Sequence, residues 1–114
     1  MPRILGSVTL LATVAALLAV PTTASAKGCR VGDSRSYGTT YVLSISVSGT
    51  SCRAGRKVVR AFHACRKGKS GRCSGVLGYS CSENRFNKSR LSYDSRVTCR
   101  KGGKTVKHKY TQFI

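Results

Sequence analysis

From Tyr41 to Ser48 the chain alternates, Tyr41, Leu43, Ile45 and Val47 standing against Val42, Ser44, Ser46 and Ser48. This is the two-residue period of a strand with one buried face. Gly49 ends the run, and Thr50 and Ser51 offer hydroxyls to cap a following helix. Ala54, Val58, Ala61, Phe62 and Cys65 then fall on one helical stripe, while Arg53, Arg56, Lys57, Arg60, His63 and Lys67 share the opposite side. Gly55 lowers the propensity of this helix by about 1 kcal/mol, so packing and covalent staples must hold it. Residues 67–71 are a loop by composition, residues 76–79 suggest a short strand, and residues 82–90 are polar again.

The C-terminal part predicts a hairpin, residues 97–100 and 105–110 around a Gly102-Gly103 turn. That turn sets Cys99 opposite Val106 and Val97 opposite His108. One face is then Val97, Cys99, Val106, His108 and Tyr110, and the other Thr98, Arg100, Thr105, Lys107 and Lys109. Helix and hairpin each have an apolar and a cationic side. The expected fold is therefore α+β, one amphipathic helix packed on a small antiparallel sheet, with residues 27–40 as an irregular N-terminal arm.

The N-terminus changes the compartment. Arg3, an apolar run from Ile4 to Val20, Pro21 and the Ala24-Ser25-Ala26 exit predict a signal peptide cleaved after Ala26 and a secreted product. Removing residues 1–26, whose one charged side chain is Arg3, leaves 88 residues with a side-chain sum of +17. A domain of that size buries only about 60–65% of its unfolded surface, and its core needs staples.

Six cysteines, Cys29, Cys52, Cys65, Cys73, Cys81 and Cys99, supply them as three disulfides. No C-x-x-C pair occurs, so neither a metal nor any other cofactor is expected. Thirteen residues of helix separate Cys52 from Cys65 by about 20 Å, too far for a bridge. Cys65 with Cys73 is the best local pair, and Cys99 is expected to reach Cys52 or Cys81.

Three stretches carry a resemblance: Ser48-Gly49-Thr50-Ser51-Cys52 with the basic helix after it, Gly78-Tyr79-Ser80-Cys81, and Val97-Thr98-Cys99-Arg100 with its Gly-Gly turn. Together they resemble a group of small exported basic proteins of high-GC Gram-positive bacteria. The resemblance implies compartment and fold, and it brings no functional residues with it. Cys29, Cys65 and Cys73 stand outside the shared pattern.

Function is then a matter of charge. The positive field predicts non-specific attraction to an anionic polymer or surface such as nucleic acid, wall polymer or anionic lipid. The residues expected to carry it are Arg53, Arg56, Lys57, Arg60, Lys67, Arg100, Lys107 and Lys109, set against the plain reading that charge only keeps an exported protein soluble. Tyr37, Tyr41, Tyr93 and Tyr110 stand near basic residues, as base-stacking rings or as sheet filling. An inhibitor or interaction module is the alternative, with loops 67–72 and 83–90 as contact surfaces. A small ribonuclease-like hydrolase is a third reading, in which His63, His108 and Glu83 would exchange protons. His63 is expected on the solvated helix face and His108 packed inward. No nucleophile, phosphate-loop or metalloprotease motif occurs, and the chain is not expected to be an enzyme.

Overall fold

The computed structural model describes residue 6 and residues 25–114. The expected signal segment, residues 1–26, lies but for Gly6, Ser25 and Ala26 outside the described residues. A six-stranded antiparallel sheet carries one helix on one of its faces. In chain order the elements are β1 (Lys27–Cys29), a 3-10 turn (Ser34–Tyr37), β2 (Tyr41–Ser48), α1 (Cys52–Cys65), β3 (Gly75–Val76), β4 (Tyr79–Phe86), β5 (Ser92–Lys101) and β6 (Lys104–Phe113). The sheet runs β1-β2-β6-β5-β4-β3.

The hairpin forms in the expected register. Cys99 pairs with Val106 and Val97 with His108 around Gly102-Gly103, and the five residues of the predicted inner face are all buried. Its strands run further than the apolar alternation does, because Ser92 to Asp94 pair with Thr111 to Phe113. Two other segments also differ from expectation. Residues 27–40 are not wholly irregular, since Lys27 to Cys29 add an edge strand to β2. Residues 82–86 belong to β4, whose inward positions hold polar side chains and so hide its strand period.

In β2 the inner face changes parity. Ile45 and Val47 are buried as predicted, but Tyr41 and Leu43 are exposed and Val42 packs on the core instead. The cause is a β-bulge between Val42 and Ser44, where one extra residue turns every earlier side chain to the opposite side.

Ser51 caps α1, its Oγ accepting the Ala54 N–H at 3.1 Å. The packed stripe is Gly55, Val58, Val59 and Phe62, turned away from Ala54, Ala61 and Cys65. Gly55 explains the turn. A Cβ there would overlap Val47 Cγ1, so the missing side chain lets the helix backbone settle on the sheet. Three disulfides close the domain: Cys29–Cys52 ties the edge strand to α1, Cys65–Cys73 closes the loop after it, and Cys81–Cys99 joins directly opposed residues of β4 and β5. The expected local pair is present, Cys99 takes Cys81, and no described cysteine is free. These bridges suit an oxidising compartment, and no described helix is long and apolar enough to cross a membrane.

Candidate functional site

The eight expected cationic residues fall on two opposite sides of the domain. Arg53, Lys57, Arg60 and Lys67 are exposed on and just beyond α1. Arg56 is half-buried and its Nη1 donates to the Arg30 carbonyl at 3.2 Å, so it ties the N-terminal arm to the helix. Arg100, Lys107 and Lys109 belong instead to the face of the sheet that no helix covers. No single surface unites them.

On the uncovered face the strand period places Arg96, Thr98 and Arg100 of β5 beside Thr105, Lys107 and Lys109 of β6. The flanking positions are Ser44, Ser46 and Ser48 on β2 and Ser80, Ser82 and Asn84 on β4. Arg96 and Lys109 are directly opposed across the strands, a like-charge pairing that destabilises a sheet. Both lean on Phe86, the Arg96 guanidinium 4.3 Å and the Lys109 ammonium 5.4 Å from the ring centre. Asp94, the one acid whose position falls on this face, is engaged at one end by Thr111 Oγ1 at 2.6 Å and Asn87 Nδ2 at 3.0 Å. Those two bonds hold its carboxyl below the usual range, with the nearby Lys109 ammonium assisting. A shallow cleft of about 310 Å³ runs between Ser44, Ser46, Arg96, Thr98, Lys107 and Lys109. A second, of about 230 Å³, adjoins it along Ser48, Arg100 and Thr105.

The histidines occupy the other side. His63 is not on the solvated helix face: the stripe that buries Val59 brings His63, four residues on, against Tyr37, Phe62, His108 and Tyr110. His63 Nε2 lies 2.9 Å from His108 Nε2, and Arg66 Nη1 donates to His63 Nδ1 at 3.1 Å. One proton arrangement follows. Arginine can only donate, so His63 Nδ1 accepts, His63 Nε2 carries the hydrogen and donates to His108, and the remaining proton of His108 sits on Nδ1. That Nδ1 is buried without a partner. Burial pushes the His63 imidazole far below its ordinary value, assisted by His108 and Arg66. Burial does the same to His108, with Glu83 opposing and Arg66 assisting. Both rings are neutral in the folded protein.

Glu83 is not part of an exposed loop either, since its side chain is only 4% exposed. Its carboxylate accepts from Tyr110 Oη at 2.6 Å, Ser95 Oγ at 2.6 Å and Arg85 Nη2 at 2.9 Å. Burial alone would raise this carboxyl, but the hydrogen bonds from Arg85, Ser95 and Tyr110 outweigh it and hold the group below the ordinary value. Burial and the bond to Glu83 push the Tyr110 phenol up. Arg85 also donates to the carbonyls of Ser70 and Gly71, so loop 67–72 is pinned from beneath. The two histidines and Glu83 thus meet at Tyr110, whose hydroxyl donates to Glu83 while its ring packs against both imidazoles. His63 has both nitrogens engaged, and His108 buries the one left over.

Of the four tyrosines near basic residues, Tyr37, Tyr93 and Tyr110 fill the core, while Tyr41 is exposed with its ring edge-on to Phe113 at 5.4 Å. Among the described residues no group of three His, Cys, Asp or Glu side chains is placed to hold a metal ion. Two positions escaped the sequence reading. Arg96 follows from extending the β5 alternation two residues towards the N-terminus. Arg66 lies on the inner stripe once that stripe is drawn through Gly55, Val59 and Phe62.

No family model, no curated protein and no solved structure matches the chain.

Proposed function

We propose that the protein binds anionic polymers through the uncovered face of its sheet, with Arg96, Arg100, Lys107 and Lys109 as the cationic contacts and the serine and threonine hydroxyls between them as neutral donors. The observation that carries this reading is the Arg96–Lys109 pairing. Two like charges opposed across a sheet weaken the free protein, and a phosphate between them turns that repulsion into two attractions. Neighbouring strands are about 4.8 Å apart and alternate residues of one strand about 6.8 Å, so Lys109 stands beside Arg96 and one step from Lys107, Arg100 lies two steps (about 14 Å) from Arg96, and the four cations line a track that an extended phosphodiester chain could follow. Nothing on this face reads bases, and the attraction is non-specific. The solvated helix cations add to the long-range field that draws a polyanion in.

The test is a salt titration of binding to a single-stranded oligonucleotide, a glycerol-phosphate polymer and anionic vesicles, which separates the sources of phosphate. Arg100→Gln with Lys107→Gln should weaken binding and flatten the log K against log salt slope by about 1.4 on single strands. Arg53→Gln with Arg60→Gln should lower affinity less and leave most of the slope. If only the helix variant flattens it, the contacts lie on α1 and the sheet reading is wrong.

A protein-contact reading has its own observation. Tyr41, Leu91, Phe113 and Ile114 are large, exposed and gathered at one end of the sheet, where the Ile114 N–H donates to the Leu91 carbonyl at 2.8 Å. Absence of salt-dependent binding to all three polyanions by the parent protein would move the function to this patch.

A further inference from the structure

Arg66 is a buried cation without an anion. It is only 7% exposed, and the ion pairs of the described residues join Glu83 to Arg72 and Arg85, never to Arg66. Its acceptors are all neutral: the Gly71 carbonyl to Nε at 2.9 Å, the Lys69 carbonyl and Tyr93 Oη to Nη2 at 2.8 and 2.7 Å, Gln112 Oε1 at 3.4 Å, and His63 Nδ1 to Nη1. The face of the guanidinium lies 4.6 Å from the Tyr110 ring centre. Buried charges are normally paired, and this one is not.

A cleft of about 220 Å³ opens beside Arg66, between the turn after the 3-10 helix and the loop after α1. Thr39, Thr40, His63, Lys69 and Gln112 line it with Arg66, and no carboxylate does. Gly38 and Gly68 border it with φ of +69° and +72°, and a Cβ on either would meet nothing within 4 Å, so the chain on both rims faces open space. The volume is below the ~300–1,000 Å³ of pockets that enclose drug-sized ligands and suits one small group.

We propose that this cleft binds a phosphoryl group, free or esterified, against Arg66 and Lys69. Charge and geometry choose the ligand class. Two cations without an acid favour an anion. The Nε and Nη2 edges of Arg66 are already committed, which closes the two-pronged geometry that a planar carboxylate prefers. Nη1 makes one hydrogen bond with its two hydrogens. Its second N–H and Lys69 on the rim formed by the end of α1 and its loop face Thr39 on the opposite rim, so cationic and hydroxyl donors border the cleft from two sides, an arrangement for a tetrahedral oxyanion. The site is on the helix side of the sheet and stands or falls separately from the polymer-binding face.

The test is nitrogen-15 NMR of the secreted, oxidised protein, following the Arg66 Nε–H and the imidazole nitrogens of His63 and His108. Inorganic phosphate, glycerol 3-phosphate and dimethyl phosphate are titrated in turn against sodium chloride at equal ionic strength. Expected are saturable shifts at Arg66 and His63 with phosphate and not with chloride. The monoester and diester arms show whether a terminal or a bridging phosphate is accepted. Lys69→Gln should raise the phosphate Kd about two- to fivefold, the worth of one exposed charge contact, while Lys88→Gln leaves it unchanged. Arg66→Lys should abolish the shift at His63, and if that variant fails to fold, Lys69→Gln still decides. Equal response to chloride and phosphate, no effect of Lys69→Gln, or shifts confined to Arg96 and Lys109 would each overturn the proposal.

Discussion

Replacing Glu83 by glutamine removes one charge from the centre of the buried network. The side chains of Glu83 and Arg85 are 4% and 8% exposed and meet at 2.9 Å, so water screens the pair little. Glutamine keeps a single acceptor oxygen where three residues donate, leaving at least one of Ser95, Tyr110 and Arg85 unmatched. Breaking a buried ion pair from one side typically loses about 3–5 kcal/mol. We expect the lower end, about 3 kcal/mol, because Arg85 keeps the Ser70 and Gly71 carbonyls. A domain of this size has about 5–13 kcal/mol in all, so Tm should fall by about 12–24 °C. Urea unfolding at neutral pH measures the loss directly from the midpoint at unchanged m. Acid supplies a second check. The folded Glu83 carboxyl is depressed, so its contribution is complete above the unfolded value of about 4.5 and disappears as pH falls through the lower folded value. The gap between parent and variant must therefore close below pH ~4.5. A loss under about 1 kcal/mol, or a gap that persists in acid, would refute the assignment of Glu83 as the charged centre of the network.

Three other outcomes are expected. Reduction should unfold the domain near body temperature, because bridges spanning 23, 8 and 18 residues contribute about 3.4, 2.5 and 3.2 kcal/mol by loop closure, together on the scale of the net stability; circular dichroism melts with and without reductant check it. Burial keeps His63 and His108 neutral in the fold while the unfolded chain protonates near 6.5, so stability should decline as pH falls below that value, by up to about 1.4 kcal/mol per pH unit for each ring. A flat urea midpoint from pH 7.5 to 5.5 would contradict that. Gly55→Ala should destabilise by about 1 kcal/mol despite a better helix propensity, because its Cβ meets Val47 Cγ1; a raised Tm would show that Val47 has room to move.

Local periodicity was enough to read the helix, a hydroxyl cap at Thr50 or Ser51, the C-terminal hairpin with its register, the inner face that includes His108, and the Cys65–Cys73 bridge. Each depends on residues a few positions apart, where spacing alone sets geometry. Other features needed the assembled sheet. The bulge at Val42–Ser44 reverses the exposure of Tyr41 and Leu43, and the alternation of side chains continues through it without a mark. The inward face of β4 is polar because Glu83 and Arg85 satisfy each other there, which strips that strand of its apolar signal. Gly55 looks like a defect in a helix until Val47 is seen beneath it. The division of the cations between two faces also belongs to the tertiary structure. Residue type made the chain basic, but only the docking of α1 on one sheet face decided that Arg96, Arg100 and Lys107 stay in water and Lys109 half-buried beside them, while Arg66 and Arg85 are drawn inside.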